Sequence, residues 1–235
     1  MALLGDMMDK RILYPGKMGR IQVKICGITD VPAALSCLAL GADAIGLVFY
    51  PKSPRYVTDD RAKAICAALE GRIPGVGVFV NEPGDAVLDR ARRCGLSVVQ
   101  LHGDESPQMV RQLRKEGLTV LKALFYGKNL NTEMAAQYAP DAFLAECGGG
   151  KLPGGNAMDW DWALAKPLAE QFPIVLAGGL SVKNVAAALK TARPDAVDVS
   201  SGVESAPGVK DLHRVKLFLE AVAAYRHGDA VRKIF

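Results

Sequence analysis

A lysine and a cysteine share one face of the first apolar run of this chain, Val23-Lys24-Ile25-Cys26, and Gly27 breaks that run immediately afterwards. Cys26 therefore ends a buried strand, with Lys24 on its side because strand side chains alternate between faces. In a parallel α/β protein, ligands bind at that end of the strands. A thiol there is a candidate nucleophile or base; the plainer reading is a small core residue. Glu146 ends another apolar run, Ala142-Phe143-Leu144-Ala145. Partial desolvation there favours the protonated carboxyl, which suits a general acid, whereas a carboxylate facing solvent would be an ordinary strand-end charge. Arg55 lies in Tyr50-Pro51-Lys52-Ser53-Pro54-Arg55-Tyr56, where two prolines stiffen the loop. Its guanidinium can grip a carboxylate through two parallel hydrogen bonds. A solvated surface charge is the alternative, and Lys52 is the weaker candidate. Gln100 and His102 end the run Val98-Val99-Gln100-Leu101-His102, and His102 can shuttle protons or orient the turn at Gly103. Asn81 and Lys122 stand at two further run ends.

Two glycine-bearing turns give the clearest chemical signal. Ala177-Gly178-Gly179-Leu180 and Ser200-Ser201-Gly202-Val203 follow the last two apolar runs. Glycine lets a backbone approach an anion and aim its N–H groups at it. Barrels commonly bind phosphate with the loops after their seventh and eighth strands. Gly178, Gly179, Ser201 and Gly202 are thus expected to hold phosphate; simple tight turns are the alternative.

The elements that must position these groups follow from hydrophobic patterning. Eight apolar runs, Ile21–Cys26, Ala44–Phe49, Val76–Val80, Val98–Leu101, Val120–Leu124, Ala142–Glu146, Ile174–Ala177 and Ala196–Ser200, read as strands buried on both faces. Helical patterns at Ala33–Leu40, Asp59–Leu69, Asp85–Cys94, Ser106–Lys115, Val182–Thr191 and Asp211–Tyr225 fall between or after them. This alternation predicts an α/β fold, a single (β/α)8 TIM barrel of parallel strands inside a ring of helices. An open doubly wound sheet is the runner-up, disfavoured because no Gly-x-Gly-x-x-Gly opens the first helix. The barrel is expected over residues 21–226, after an N-terminal extension over 1–20 and before a C-terminal tail over 227–235 whose docking place the sequence does not reveal.

The chain has 235 residues, half of them hydrophobic, and a net charge of +4. That length suits one barrel, and so mild a charge favours an anionic small molecule only weakly. The absence of a basic block or an aromatic–basic interleave argues against nucleic acid. No apolar run reaches the roughly 18 residues of a membrane span, and the first residues lack the order of a signal peptide. Five scattered cysteines suit a reducing cytoplasm, with Cys37, Cys66 and Cys94 expected as packing residues. None of the three histidines has ligand spacing, so no metal site is expected.

The pieces Val23-Lys24-Ile25-Cys26-Gly27-Ile28-Thr29, Pro51-Lys52-Ser53-Pro54-Arg55, Val76-Gly77-Val78-Phe79-Val80-Asn81, Gln100-Leu101-His102-Gly103-Asp104-Glu105, Ala177-Gly178-Gly179-Leu180 and Asp198-Val199-Ser200-Ser201-Gly202-Val203-Glu204 occur in that order. As a set, spread over about residues 21–225, they resemble the phosphoribosylanthranilate isomerases of tryptophan biosynthesis. The resemblance implies an Amadori rearrangement of N-(5-phosphoribosyl)anthranilate without cofactor or metal. By that resemblance Cys26 is the general base and Arg55 holds the anthranilate carboxylate. Gly178-Gly179 and Ser201-Gly202 hold phosphate; Lys24, Gln100 and His102 are expected elsewhere in the pocket from their own positions on the strands. A phosphorylated small molecule is the expected partner, and the protein is expected to be a cytoplasmic monomer or homodimer.

The sixth strand departs from the family pattern. Glu146 stands where an aspartate is usual, and the following loop reads Gly154-Gly155-Asn156-Ala157. Glu146 fits the acid position, its carboxyl about one methylene further out. That departure leaves one rival, a non-catalytic phosphometabolite-binding barrel derived from this family. A second rival is a different sugar-phosphate barrel enzyme, against which the strand-one cysteine counts.

Overall fold

In the computed structural model, which describes residues 19–147, 160–226 and 230–235, eight parallel strands close into a barrel in sequence order. They are β1 (Gln22–Cys26), β2 (Ala44–Val48), β3 (Gly75–Phe79), β4 (Val98–Leu101), β5 (Thr119–Tyr126), β6 (Ala142–Cys147), β7 (Ile174–Leu176) and β8 (Ala196–Val199). Closure is the β1–β8 pairing, which sets Lys24 opposite Asp198 and Ile25 opposite Val199. The expected strands are met to within two residues at each end. Each run was continuous because each strand is covered on both faces, by helices outside and by other strands' side chains within.

The helices are α1 (Val31–Leu40), α2 (Asp59–Leu69), α3 (Gly84–Cys94), α4 (Pro107–Lys115), α5 (Thr132–Gln137), α6 (Lys166–Gln171), α7 (Val185–Ala192) and α8 (Leu212–Ala224). Side-chain caps start several of them: Asp30 accepts from Ala33 N at 2.8 Å, and Ser106 accepts from Met109 N at 3.3 Å. The patterning missed α5 and α6, which are six residues each and too short to show a period. It also missed an antiparallel hairpin after β8, β9 (Glu204–Ala206) with β10 (Val209–Lys210).

Strand alternation divides the core. Ile21, Val23, Ile25, Ile45, Leu47, Val99, Leu101 and Val197 face the helices. Ala44, Val76, Val98, Leu121 and Ala142 form one cluster inside the barrel, and Ala123, Phe125, Leu144, Val175, Ala177 and Ala196 form another. The same alternation turns Lys24, Cys26, Gln100, Glu146 and Asp198 inward. It turns Lys122 outward, which corrects its expected place at the pocket. Lys122 Nζ is fully buried in the helical shell, 2.9 Å from Glu105 Oε2 and 2.7 Å from Gly103 O. Glu105 also accepts from Asn81 N and Gly103 N, so this buried pair pins the turn that follows β4.

The C-terminal tail docks under the barrel, at the amino ends of the strands. Ile234 and Phe235 pack on both inner clusters. Gln22 Oε1 accepts from the backbone N–H of Ile234 and of Phe235, each at 2.9 Å, and Gln22 Nε2 donates to Arg232 O at 2.8 Å. Arg232 binds the buried Asp195 through its backbone N–H at 2.8 Å and its Nε at 3.0 Å. Deleting Ala230–Phe235 exposes this floor and strips Asp195 of its cation. The expected loss is roughly 2–5 kcal/mol, a fall in Tm of about 5–15 °C. The carboxyl ends of the strands, far from this floor, should keep their arrangement; thermal melts check the loss. Of the expected extension over 1–20, all but its last two residues lie outside the described residues, as does the loop Gly154-Gly155-Asn156-Ala157.

Candidate active site

At the carboxyl ends of the strands the expected residues gather on two walls. The first wall is built on β1 and β8. Lys24 Nζ, fully buried, donates to Asp198 Oδ1 at 2.9 Å, and Cys26 lies one strand repeat above it. Gly46 on β2 leaves the space they occupy: a Cβ there would lie 2.7 Å from Cys26 Sγ and 3.0 Å from Lys24 Nζ. Burial pushes the Cys26 thiol up; the Lys24 ammonium and, less strongly, that of Lys210 pull it back, Asp198 adds to the rise, and the net shift is upward. For Lys24, burial opposes the charge, but Asp198 and the neighbouring sulfur outweigh it and hold the ammonium above its usual range.

Arg55 joins this wall. It is buried, 7% exposed, and so is not a solvated surface charge, whereas Lys52 is exposed. Its stem crosses Gly27, whose φ of +78° turns the chain out of β1 and where a Cβ would overlap Arg55 Cδ. The guanidinium is engaged by a carboxylate from the chain itself: Nε donates to Glu204 Oε1 at 2.8 Å and Nη2 to Glu204 Oε2 at 2.7 Å. Lys210 Nζ donates to the same Oε1 at 2.6 Å and to Ser200 O at 3.2 Å. Burial alone would raise the Glu204 carboxyl, but Arg55 and Lys210 more than offset it and hold the carboxyl below its usual range. Burial lowers Lys210, and Glu204 restores only part of the shift.

The second wall is built on β4, β5 and β6. His102 Nε2 lies 3.1 Å from Glu146 Oε2, and Gln100 Nε2 lies 2.9 Å from His102 Nδ1. All three side chains are buried. Gln100 thus anchors one ring nitrogen of His102 while the other lies beside the Glu146 carboxyl. Phe125 meets the His102 ring edge-on, with centroids 5.2 Å apart, and fixes its plane. His102 is therefore brought beside Glu146 across this wall.

The two glycine turns sit side by side between these walls. Gly178 and Gly179 both have positive φ, 82° and 68°, a conformation that a side chain would strain. A Cβ on Gly178 would lie 3.2 Å from Glu146 Cγ, so this turn borders the acid directly. A Cβ on Gly202 would collide with the carbonyl of Leu180, which is how closely the two turns pack. Asn184 ties the first turn, donating to Gly179 O at 2.9 Å and accepting from Ser181 N at 2.7 Å.

Comparison with known proteins gives the same picture. A family model described as N-(5'-phosphoribosyl)anthranilate (PRA) isomerase matches residues 23–221. The chain belongs to this family. The PRA isomerase of Desulfatibacillum aliphaticivorans is 48% identical over 215 residues, 92% of this chain and 99% of its own length. That of Thermotoga maritima is 42% identical over 203 residues, 85% and 97% of the two chains. A crystal structure of the PRA isomerase from Thermus thermophilus superposes with a TM-score of 0.79 at 37% identity, covering 87% of this chain and 99% of its own. A second PRA isomerase structure, in complex with reduced 1-(o-carboxyphenylamino)-1-deoxyribulose 5-phosphate, gives 0.74 at 37% identity, covering 86% and 98%.

Sequence reasoning missed that Asp198 pairs with Lys24 and that Glu204 and Lys210 join Arg55 at this end of the barrel. Asp198 was legible: it interrupts an apolar run at the inward position of β8, as Glu146 does in β6. Glu204 and Lys210 were not, because their significance lies in reaching Arg55, 149 residues from Glu204 in the chain.

Proposed function

We propose that Cys26 and Glu146 act as base and acid in the reaction for which the family is named, the isomerisation of N-(5-phosphoribosyl)anthranilate to 1-(2-carboxyphenylamino)-1-deoxyribulose 5-phosphate. The reading is carried by the inward register of both residues at the carboxyl ends of β1 and β6, each beside a partner suited to its role. Glu146 gives a proton to the furanose ring oxygen as the bond from that oxygen to C1' breaks, and the nitrogen lone pair forms the Schiff base. The Cys26 thiolate takes the C2' proton, leaving an enolamine. Gain of a proton at C1' and loss of one from the 2'-hydroxyl complete the ketone, so the isomerisation is proton-neutral. His102 stands beside Glu146 Oε2, which leaves Oε1 for the proton that is donated. Lys24 stabilises the thiolate. Arg55 receives the anthranilate carboxylate, and Gly178-Gly179 with Ser201-Gly202 receive the phosphate. The catalytic groups all come from one chain, so a monomer suffices and a homodimer adds none. Family membership, the cysteine at the base position and the carboxyl kept at the acid position favour this enzyme over a non-catalytic relative.

Turnover of phosphoribosylanthranilate, followed by loss of its fluorescence, is the test. Because burial raises the Cys26 thiol despite Lys24, the base is scarce at neutral pH. Activity needs the Cys26 thiolate together with the Glu146 acid, so the rate should follow a bell-shaped pH profile, falling at low pH as thiolate is lost and at high pH as the protonated carboxyl is lost. A profile that rises or falls in one direction only would remove this acid–base pair, and no turnover at any pH would overturn the assignment.

A further inference from the structure

We infer that Glu204, on the hairpin after β8, is a positioning residue that sets the specificity of this site for a ligand carrying a carboxylate; the inference rests on the reading of Arg55 as the carboxylate receptor. A guanidinium has two two-pronged edges, Nε with one terminal nitrogen and the two terminal nitrogens together. Glu204 occupies the first, through Nε at 2.8 Å and Nη2 at 2.7 Å. Nη1 donates to no acceptor among the described residues, which leaves the end-on edge for a ligand.

Three further observations make this a built device. Lys210 shares Glu204 Oε1 at 2.6 Å, so the trio of Arg55, Glu204 and Lys210 keeps one net positive charge, the complement of one carboxylate. The hairpin abuts the arginine's own loop: a Cβ on Gly208 would lie 2.9 Å from Pro54 O, and Thr29 Oγ1 donates to Gly208 O at 3.3 Å. Gly27 is bare where the arginine stem passes, so the stem is confined from one side and the head from the other. Glu204 is 6% exposed and already saturated by two cations, and so it does not touch substrate; it aims the group that does.

The test compares inhibition by the reduced product analogue with inhibition by the same molecule lacking its ring carboxylate. In the unaltered enzyme the carboxylate-bearing analogue should bind far more tightly. Arg55→Gln should erase that preference; an unchanged preference in Arg55→Gln would show that Arg55 is not the receptor, and the inference would fall with that reading. Given a loss in Arg55→Gln, Glu204→Gln should cut the preference by roughly 10- to 100-fold. It should raise KM by a similar factor with little change in kcat, and leave binding of the analogue without a carboxylate as before. The charge-balanced pair Glu204→Gln with Lys210→Met, and Glu204→Asp, which draws the guanidinium back without removing a charge, carry the same test if the single amide variant does not fold. An unchanged preference in these variants, or a larger one because Glu204 had been competing for Arg55, overturns the inference.

Discussion

Cys26→Ala should lower kcat by about 10³-fold or more while leaving the melting temperature nearly unchanged, the range expected when a general base is lost. The fold should survive because only one sulfur leaves a position already beside bare Gly46. The lost contacts amount to about 1 kcal/mol. Lys24 keeps its ion pair with Asp198 at 2.9 Å, so no buried charge is orphaned. Cys26→Ser should not rescue the rate, since a hydroxyl is a far poorer source of an anion than even a thiol raised by burial. The measurement is the first-order decay of substrate fluorescence at high enzyme concentration, paired with a thermal melt. Retention of a tenth of the activity by the alanine variant would remove the sulfur from the chemistry.

The second large effect belongs to Glu146. Glu146→Gln keeps the shape and an oxygen beside His102 Nε2, now 3.1 Å from Oε2, so the wall should stand. It has no acid proton to give, and kcat should fall by about 10²–10⁴-fold. Glu146→Asp keeps the proton but draws it back by about 1 Å, away from His102. Its loss should be smaller, at most roughly a hundredfold. The order is diagnostic: the aspartate variant above the glutamine variant supports proton donation, whereas equal losses would mean that the side chain serves only to fill space beside Gly178. That order also bears on the family departure in this strand, because the local partner, His102, is placed for the longer side chain found here.

How much of this was legible in the sequence depended on whether the signal was local. The strands were, since burial on both faces demands uninterrupted apolar runs such as Val120–Leu124. Cys26 and Glu146 were, since each interrupts or ends such a run at a position whose side is fixed by alternation. The same counting would have turned Lys122 outward, because Leu121 and Ala123 on either side of it face in. Arg55 was read as a group that holds a carboxylate, and it does hold one within the protein, but a single sequence carries no trace of which one. Gln100 and His102 were placed in the pocket by position alone; their contact with Glu146 needs three strands brought side by side. The hairpin escaped notice because Val209–Lys210 is too short to show any period.

The seam where β1 meets β8 has a consequence for how this protein is made. Lys24 emerges from the ribosome early, yet its counter-ion, Asp198, follows 174 residues later. Gln22, at the start of the same strand, waits for Phe235. Until Asp198 has been synthesised, the first strand cannot be buried without stranding an ammonium in an apolar interior. A nascent half-barrel should therefore stay open at this strand, and the thiol should acquire its chemical surroundings only when the ring shuts.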